Sequence, residues 1–205
     1  MGVAERKIRE KEELKEAILK AAKKLFLTKG YDKTSIRNIA DEIEYSPGII
    51  YHYFKDKDEV FHALHTEGFG ELRKRMQILS VVADPMERLK AMGKIYIQFG
   101  LENPDMYDLM FIIEAPIDHV EKSVDTCWVE GDATFDVLRK TIGQCMEKGH
   151  FEGHAVEALS FLIWSTVHGM VSLSIRKRVQ VLDQNEAENI VENSFNSFLK
   201  ILDKL

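Results

Sequence analysis

Two Glu-x-x-His pairs, Glu59/His62 and Glu147/His150, have the spacing closest to a catalytic device in this chain. Positions i and i+3 share one face of a helix. Two such pairs, with further carboxylates, can hold a pair of metal ions inside a helical bundle. Here the second pair lies against Gly149, a residue that ends helices, and the first sits in a charge-rich stretch. No other glutamate completes an inward-facing set, so both pairs read as chance and no metal or cofactor is expected. Cys127 and Cys145 are the two cysteines. On one helix, their separation would place them about 27 Å apart, too far for a disulfide. Two reduced thiols are expected. No phosphate-cradling loop, nucleophile elbow or triad is visible, so no catalytic residue is assigned.

The elements behind these residues read at the helical period almost throughout. Leu14, Ala17, Ile18, Ala21, Ala22, Leu25 and Phe26 form one apolar stripe, closed by Gly30. Ile36, Ile39, Ala40 and Ile43 form a second, short stripe, with Thr34 as its expected N-cap. Ser46-Pro47 opens a third helix, serine as cap and proline at the first helical position, ending near Phe54. Further helices are expected from about 58 to 79, 85 to 102, 104 to 114, 117 to 148, 155 to 177 and 185 to 203. Residues 1–10 are the one candidate for disorder. No β-alternation or repeat is present, so the expectation is an all-α fold of about nine helices. No run approaches 18 consecutive apolar residues, and no apolar leader opens the chain, so no membrane partner and a cytoplasmic protein are expected.

Two short helices joined by a tight turn and packed on a longer first helix make a helix-turn-helix. Its second helix is narrow enough for the major groove of DNA. Charge distribution is compatible with this. The whole chain is at −6, yet residues 14–57 carry nine Lys/Arg against six Asp/Glu, and residues 58–205 carry fifteen against twenty-four. A mildly basic head on an acidic body fits a DNA-binding front end. A helical adaptor that binds protein alone would share these elements; salt-dependent duplex binding separates the two.

The set Gly30-Tyr31, Thr34-Ser35-Ile36-Arg37-Asn38-Ile39-Ala40 and Ser46-Pro47-Gly48-Ile49-Ile50-Tyr51-His52-Tyr53-Phe54-Lys55-Asp56-Lys57 resembles the N-terminal signature of the TetR family of transcriptional regulators. The match covers about residues 12–60, with Tyr51, Phe54 and Lys57 its most telling members. The resemblance implies an N-terminal three-helix helix-turn-helix head over residues 1–57 and a C-terminal helical bundle over 58–205 that senses a ligand and dimerises. It implies that Thr34, Ser35 and Arg37 meet DNA from the second helix. Ser46, Pro47, Gly48 and Ile49 form the leading end of the recognition helix. Tyr51, His52 and Tyr53 supply donors to phosphates, with His52 or Tyr53 able to reach bases, and Lys57 is the phosphate-binding lysine. The chain departs from the family at Glu44, where a turn glycine is common; either a left-handed residue there costs about 1 kcal/mol or the turn takes a different form. Tyr45 replaces a small aliphatic, and Pro47 a frequent basic residue.

One head reads about one half-site, so an operator-binding protein of this kind needs a second head one helical turn away. The last two helices are the expected homodimer surface. The final one carries Ala187, Ile190, Val191, Ser194, Phe195, Phe198, Ile201, Leu202 and Leu205; the preceding one carries the small residues Ser165, Thr166, Gly169 and Ser172. Trp164 with His168-Gly169 also resembles a pattern of some TetR C-terminal domains. Family likeness implies a cavity for a small, largely apolar effector, and the residues expected to line it are Tyr96, Phe99, Met106, Tyr107, Met110, Trp128, Phe161, Trp164 and His168. The expected function is a ligand-responsive repressor that binds a palindromic operator in double-stranded DNA.

Overall fold

A computed structural model describes residues 2–113, 129–181 and 189–205. Among them are nine α-helices and no strand. They are α1 (Val3–Lys29), α2 (Ile36–Glu42), α3 (Pro47–Ile50), α4 (Lys57–Gln77), α5 (Pro85–Glu102), α6 (Pro104–Phe111), α7 (Val129–Glu147), α8 (Val156–Ile175) and α9 (Ile190–Leu202), with short 3₁₀ turns at Ile78–Val81 and Arg178–Val181. The all-α expectation holds. Residues 1–10 differ from expectation: α1 already begins at Val3. Its first turns are supported by Glu5, which accepts from the Gly2 backbone N–H, and by the ion pairs Arg6–Glu10 and Arg9–Glu13.

The described residues of Met1–Phe69 and Asp105–Trp128 form one compact unit, and those of Gly70–Pro104 and Val129–Leu205 a second. In the first, the inner faces of α1, α2 and α3 bury Ile18, Ala22, Leu25, Phe26, Ile39, Ala40 and Ile50. Val60, Phe61 and Leu64 of α4 enter the same core, so it continues past the expected boundary after residue 57. Tyr31, Phe26 and Phe61 stack around one another at 5.3–5.5 Å. Burying this set removes several large apolar side chains from water, each worth about 1.5–3 kcal/mol. That is enough to hold short α2 and α3, which would not persist alone.

The second unit is a bundle of α5, α7, α8 and α9. Asp84 caps α5 by accepting from the Glu87 backbone N–H at 3.0 Å, and Pro85 occupies the first helical position. Met86, Leu89, Ile142, Cys145, Phe151, Leu159, Ile163 and Leu202 form its core. Burial pushes the Cys145 thiol up to about 11, so it stays protonated there; Cys127 lies outside the described residues. Helix α8 is long and apolar enough to cross a bilayer by length and composition alone. Here its inner face, Leu159, Ile163, Val167 and Val171, is buried within the bundle.

Candidate nucleic-acid interface

The α2–α3 pair is built by local devices. The N-cap of α2 is Ser35, not the expected Thr34. Ser35 Oγ accepts from the Asn38 backbone N–H at 3.2 Å, and the Ser35 N–H donates to Asn38 Oδ1 at 3.0 Å. Thr34 is instead buried and looks backwards: its hydroxyl donates to the Gly30 carbonyl at 2.8 Å and its N–H to the Tyr31 carbonyl at 3.1 Å. Both hydrogen-bond donors expected to reach a phosphate are thus occupied within the loop. Ser35 and Arg37 are exposed at the start of α2. The turn into α3 carries Glu44 at φ 59°, so the left-handed residue anticipated at this position is present without glycine.

Helix α3 is shorter than expected. Regular helix stops at Ile50, and residues 51–53 continue as a tightened turn in which the His52 and Tyr53 N–H groups reach back three residues, at 3.2 and 2.8 Å. Ser46 makes no side-chain cap bond. Ile50 and Phe54 point into the core, and Ile49 and Tyr53 pack partly against it. Ser46, Gly48, Tyr51 and His52 are exposed, and Pro47 is half-buried. Tyr51 is 58% exposed, a large aromatic with no interior task. Gly48 has no left-handed φ, and a Cβ there would meet only Ser46 Oγ, at 3.8 Å. Nothing among the described residues therefore demands glycine at this place; its absent side chain clears space on the outer side.

Lys57 stands where α4 begins. Its ammonium lies 3.9 Å from the centre of the Tyr31 ring and donates to the Tyr31 carbonyl at 2.9 Å. The Tyr31 hydroxyl donates to Asp58. Burial, followed by that carboxylate, pushes the Tyr31 phenol well above its ordinary range, so it remains a donor. Tyr31 thus positions Lys57. No role was assigned to it from sequence, because a partnership across 26 residues leaves no periodic trace.

The residues expected to line an effector cavity divide between the units. Met106, Tyr107 and Met110 lie buried on α6 in the first. There a Cβ on Gly68 would fall 2.5 Å from Met110 Sδ and 2.8 Å from Met106 Sδ, so the two methionine side chains pack directly on the glycine and would have to shift for any larger residue. In the second unit Tyr96, Trp164 and His168 form a hydrogen-bonded chain. Trp164 Nε1 donates to the Tyr96 hydroxyl at 3.2 Å, which lies 3.0 Å from His168 Nδ1. The tyrosine donates to Nδ1 in the tautomer that carries its proton on Nε2. Burial lowers the His168 pKa, in keeping with a neutral ring. Phe99 is buried beneath the Arg75 guanidinium, 5.4 Å from its ring centre. Phe161 differs from expectation: it is 61% exposed on the outer side of α8, and so does not line an interior cavity of the unit. Trp128 lies outside the described residues.

Sequence comparison decides the family. The profile for bacterial regulatory proteins of the tetR family matches residues 18–64, and the tetracyclin repressor-like C-terminal domain matches 89–197, more than half the chain. The chain belongs to the TetR family. The matched head, residues 18–64, contains the helix-turn-helix and is described as that of bacterial regulatory proteins. Among curated proteins it is 37% identical over 70 residues to the HTH-type transcriptional repressor Rv1474c of Mycobacterium tuberculosis, a match covering 33% of this chain and 37% of that one. It is 24% identical over 168 residues to the HTH-type transcriptional repressor AcnR of Corynebacterium glutamicum, covering 77% and 80%. The match thus spans little over a third of the first of these relatives. Among solved structures, the fatty acid degradation regulator FadR of Bacillus halodurans has the same fold at TM-score 0.71 and 18% identity, covering 90% of this chain and 94% of that one. The TetR-family regulator PfmR of Thermus thermophilus matches at 0.68 and 23%, covering 89% and 97%.

Proposed function

We propose that this TetR-family protein is a cytoplasmic, ligand-responsive repressor that binds a palindromic operator as a homodimer. The observation that carries the DNA half of this reading is the outer surface of α2 and α3. Arg37 on α2, Gly48 on α3 and Tyr51 and His52 in the turn after it are exposed, while Ile39, Ala40 and Ile50 on the opposite faces are buried. In this reading Ser35, Arg37, Tyr51, His52 and Lys57 bind phosphates, while the Ser46–Ile49 end, with Gly48 open, comes nearest the bases. Lys57 is pre-oriented by Tyr31, and two of its three N–H donors remain for a phosphate oxygen.

The outer face of α8 supports a dimer. Leu162, Ser165, Thr166, Gly169 and Leu173 follow helical spacing, and Leu162 and Leu173 are 57% and 54% exposed. Phe161 borders them. Small residues between leucines permit close approach of a symmetric copy. Helix α9 contributes less than its stripe suggested: Phe195 and Leu202 are buried within the unit, Phe195 against Gly93, while Ile201 and Leu205 face outward. We assign effector recognition to the apolar interior around the Tyr96–Trp164–His168 chain, whose donors and acceptors would orient a mainly apolar molecule. A ligand that favours one α4 position over another by about 3 kcal/mol would change operator affinity over 100-fold.

The test is duplex binding to the region upstream of the protein's own gene at several salt concentrations. Tight binding with a steep negative salt slope, competed poorly by unrelated DNA, is the expected result. Equal affinity for unrelated DNA overturns the reading.

A further inference from the structure

The first three turns of α1 are exposed, and their charges are sorted. Residues 4–13 are exposed, and the head core takes up α1 only from Leu14 onward. Val3 to Glu13 is therefore a rod of about 16 Å projecting from the head. Lys7, Lys11 and Lys15 follow one another at i, i+4, i+8, inside an arc of about 80°. Every acidic residue of these turns lies outside that arc. The two arginines also lie outside it, neutralised by Glu10 and Glu13 at 3.3 and 3.5 Å. The three lysines form no ion pair with a described residue.

The direction of this face follows from the packing. Ile18, Ala22 and Leu25, which are buried against the rest of the head, lie in the same arc as the lysines. Helix α1 runs antiparallel to α2. The end of α1 meets the start of α2 through Thr34 and Gly30, and Lys24 pairs with Glu42, the last residue of α2, at 2.6 Å. From that pairing point α1 continues towards its N-terminus through Val3–Lys23. The stripe that is apolar where it is buried in the described core becomes basic where residues 4–13 are exposed.

We infer that Lys7, Lys11 and Lys15 bind the phosphate backbone of double-stranded DNA flanking each half-site. This rests on the DNA-binding reading given above and extends it to residues that the helix-turn-helix does not include. Three ammonium groups spaced about 6 Å apart along a straight helix suit a row of phosphates and carry no means of reading bases. The face therefore adds affinity and salt dependence, not sequence preference.

Two duplexes test it, one holding only the protected operator and one lengthened by about one turn at each end. The wild type should bind the long duplex at least tenfold more tightly. In Lys7→Gln/Lys11→Gln/Lys15→Gln that gain should vanish, and the log-log salt slope on the long duplex should become shallower by up to about 5 for a dimer losing six contacts. Arg6→Gln/Arg9→Gln, whose guanidinium groups are already paired, should retain at least half the gain. Glutamine keeps the helix, and circular dichroism checks that it does. A triple variant with wild-type affinity and slope on the long duplex overturns the inference while leaving operator binding intact. So does an equal loss on both duplexes, or a change in oligomeric state at unchanged affinity. A wild type that binds neither duplex overturns the DNA reading itself, and this inference with it.

Discussion

Replacing Tyr51 separates a DNA contact from a structural one. Its ring is more than half exposed, and its hydroxyl has no hydrogen-bond partner among the described residues. Tyr51→Ala should therefore change folding stability by no more than about 0.5 kcal/mol. For a chain of this size that is a shift in Tm of about 2 °C at most. If the hydroxyl donates to a phosphate, the lost bond is one to a charged acceptor, worth about 1.5–3 kcal/mol. A dimer on one operator loses it twice, so the low end is about 3 kcal/mol, or roughly 150-fold in affinity. Tyr51→Phe removes the hydroxyl alone and should show most of the same loss. Fluorescence anisotropy on the upstream fragment at fixed salt measures the affinity, and a thermal melt run beside it measures the fold. Affinity within twofold of wild type in both variants would refute the assignment. A matching loss accompanied by a fall in Tm of many degrees would refute it equally, because the ring would then be holding the head together.

Other substitutions read other parts of the account. Glu44→Gly relieves a left-handed residue worth about 1–2 kcal/mol, partly offset by the entropy of a freer unfolded chain. It should raise Tm by about 1–4 °C, leaving operator affinity unchanged; a lower Tm would show that Glu44 makes a contact that matters. Ser35→Ala removes the α2 cap and should cost about 1 kcal/mol in urea unfolding, whereas Ser35→Asn should be nearly neutral. His168 has a folded pKa below its unfolded value of about 6.5, so the unfolded chain takes up the proton first. Its contribution is complete above about pH 6.5 and is lost as pH falls through the folded pKa. Urea midpoints should decline over that window in the wild type and decline less in His168→Gln. Leu162→Arg on the exposed face of α8 should give monomers by sedimentation with native helix content; a stable dimer would move the interface elsewhere.

How much of this was legible in the sequence depends on the range of the force involved. Helices α4, α5, α6 and α8 lie close to where the apolar period and the prolines placed them, because burial of one face and Pro85 or Pro104 at a helix start are local signals. The left-handed Glu44 was legible only through the resemblance, which commonly has a glycine in that turn. The cap of α2 was misplaced by one residue. Thr34 and Ser35 are both good capping residues, and what separates them is a bond from Thr34 back to Gly30. The extent of α1 was missed because its first turns have no apolar stripe; they are held by charge pairs within the helix itself. The residues expected to line an effector cavity were the least legible. Methionine and aromatic side chains look alike wherever they are buried. Only the fold shows that Met106 and Met110 lie over Gly68, that Tyr96 joins Trp164 and His168, and that Phe161 faces outward.

The most direct test of the central claim is a hydroxyl-radical footprint of the wild-type protein on the DNA upstream of its gene. Two protected patches related by a dyad, centred about 34 Å or a multiple of that apart on one face of the duplex, are the predicted result. Uniform protection without a preferred position, or a single patch without its symmetric mate, would contradict it.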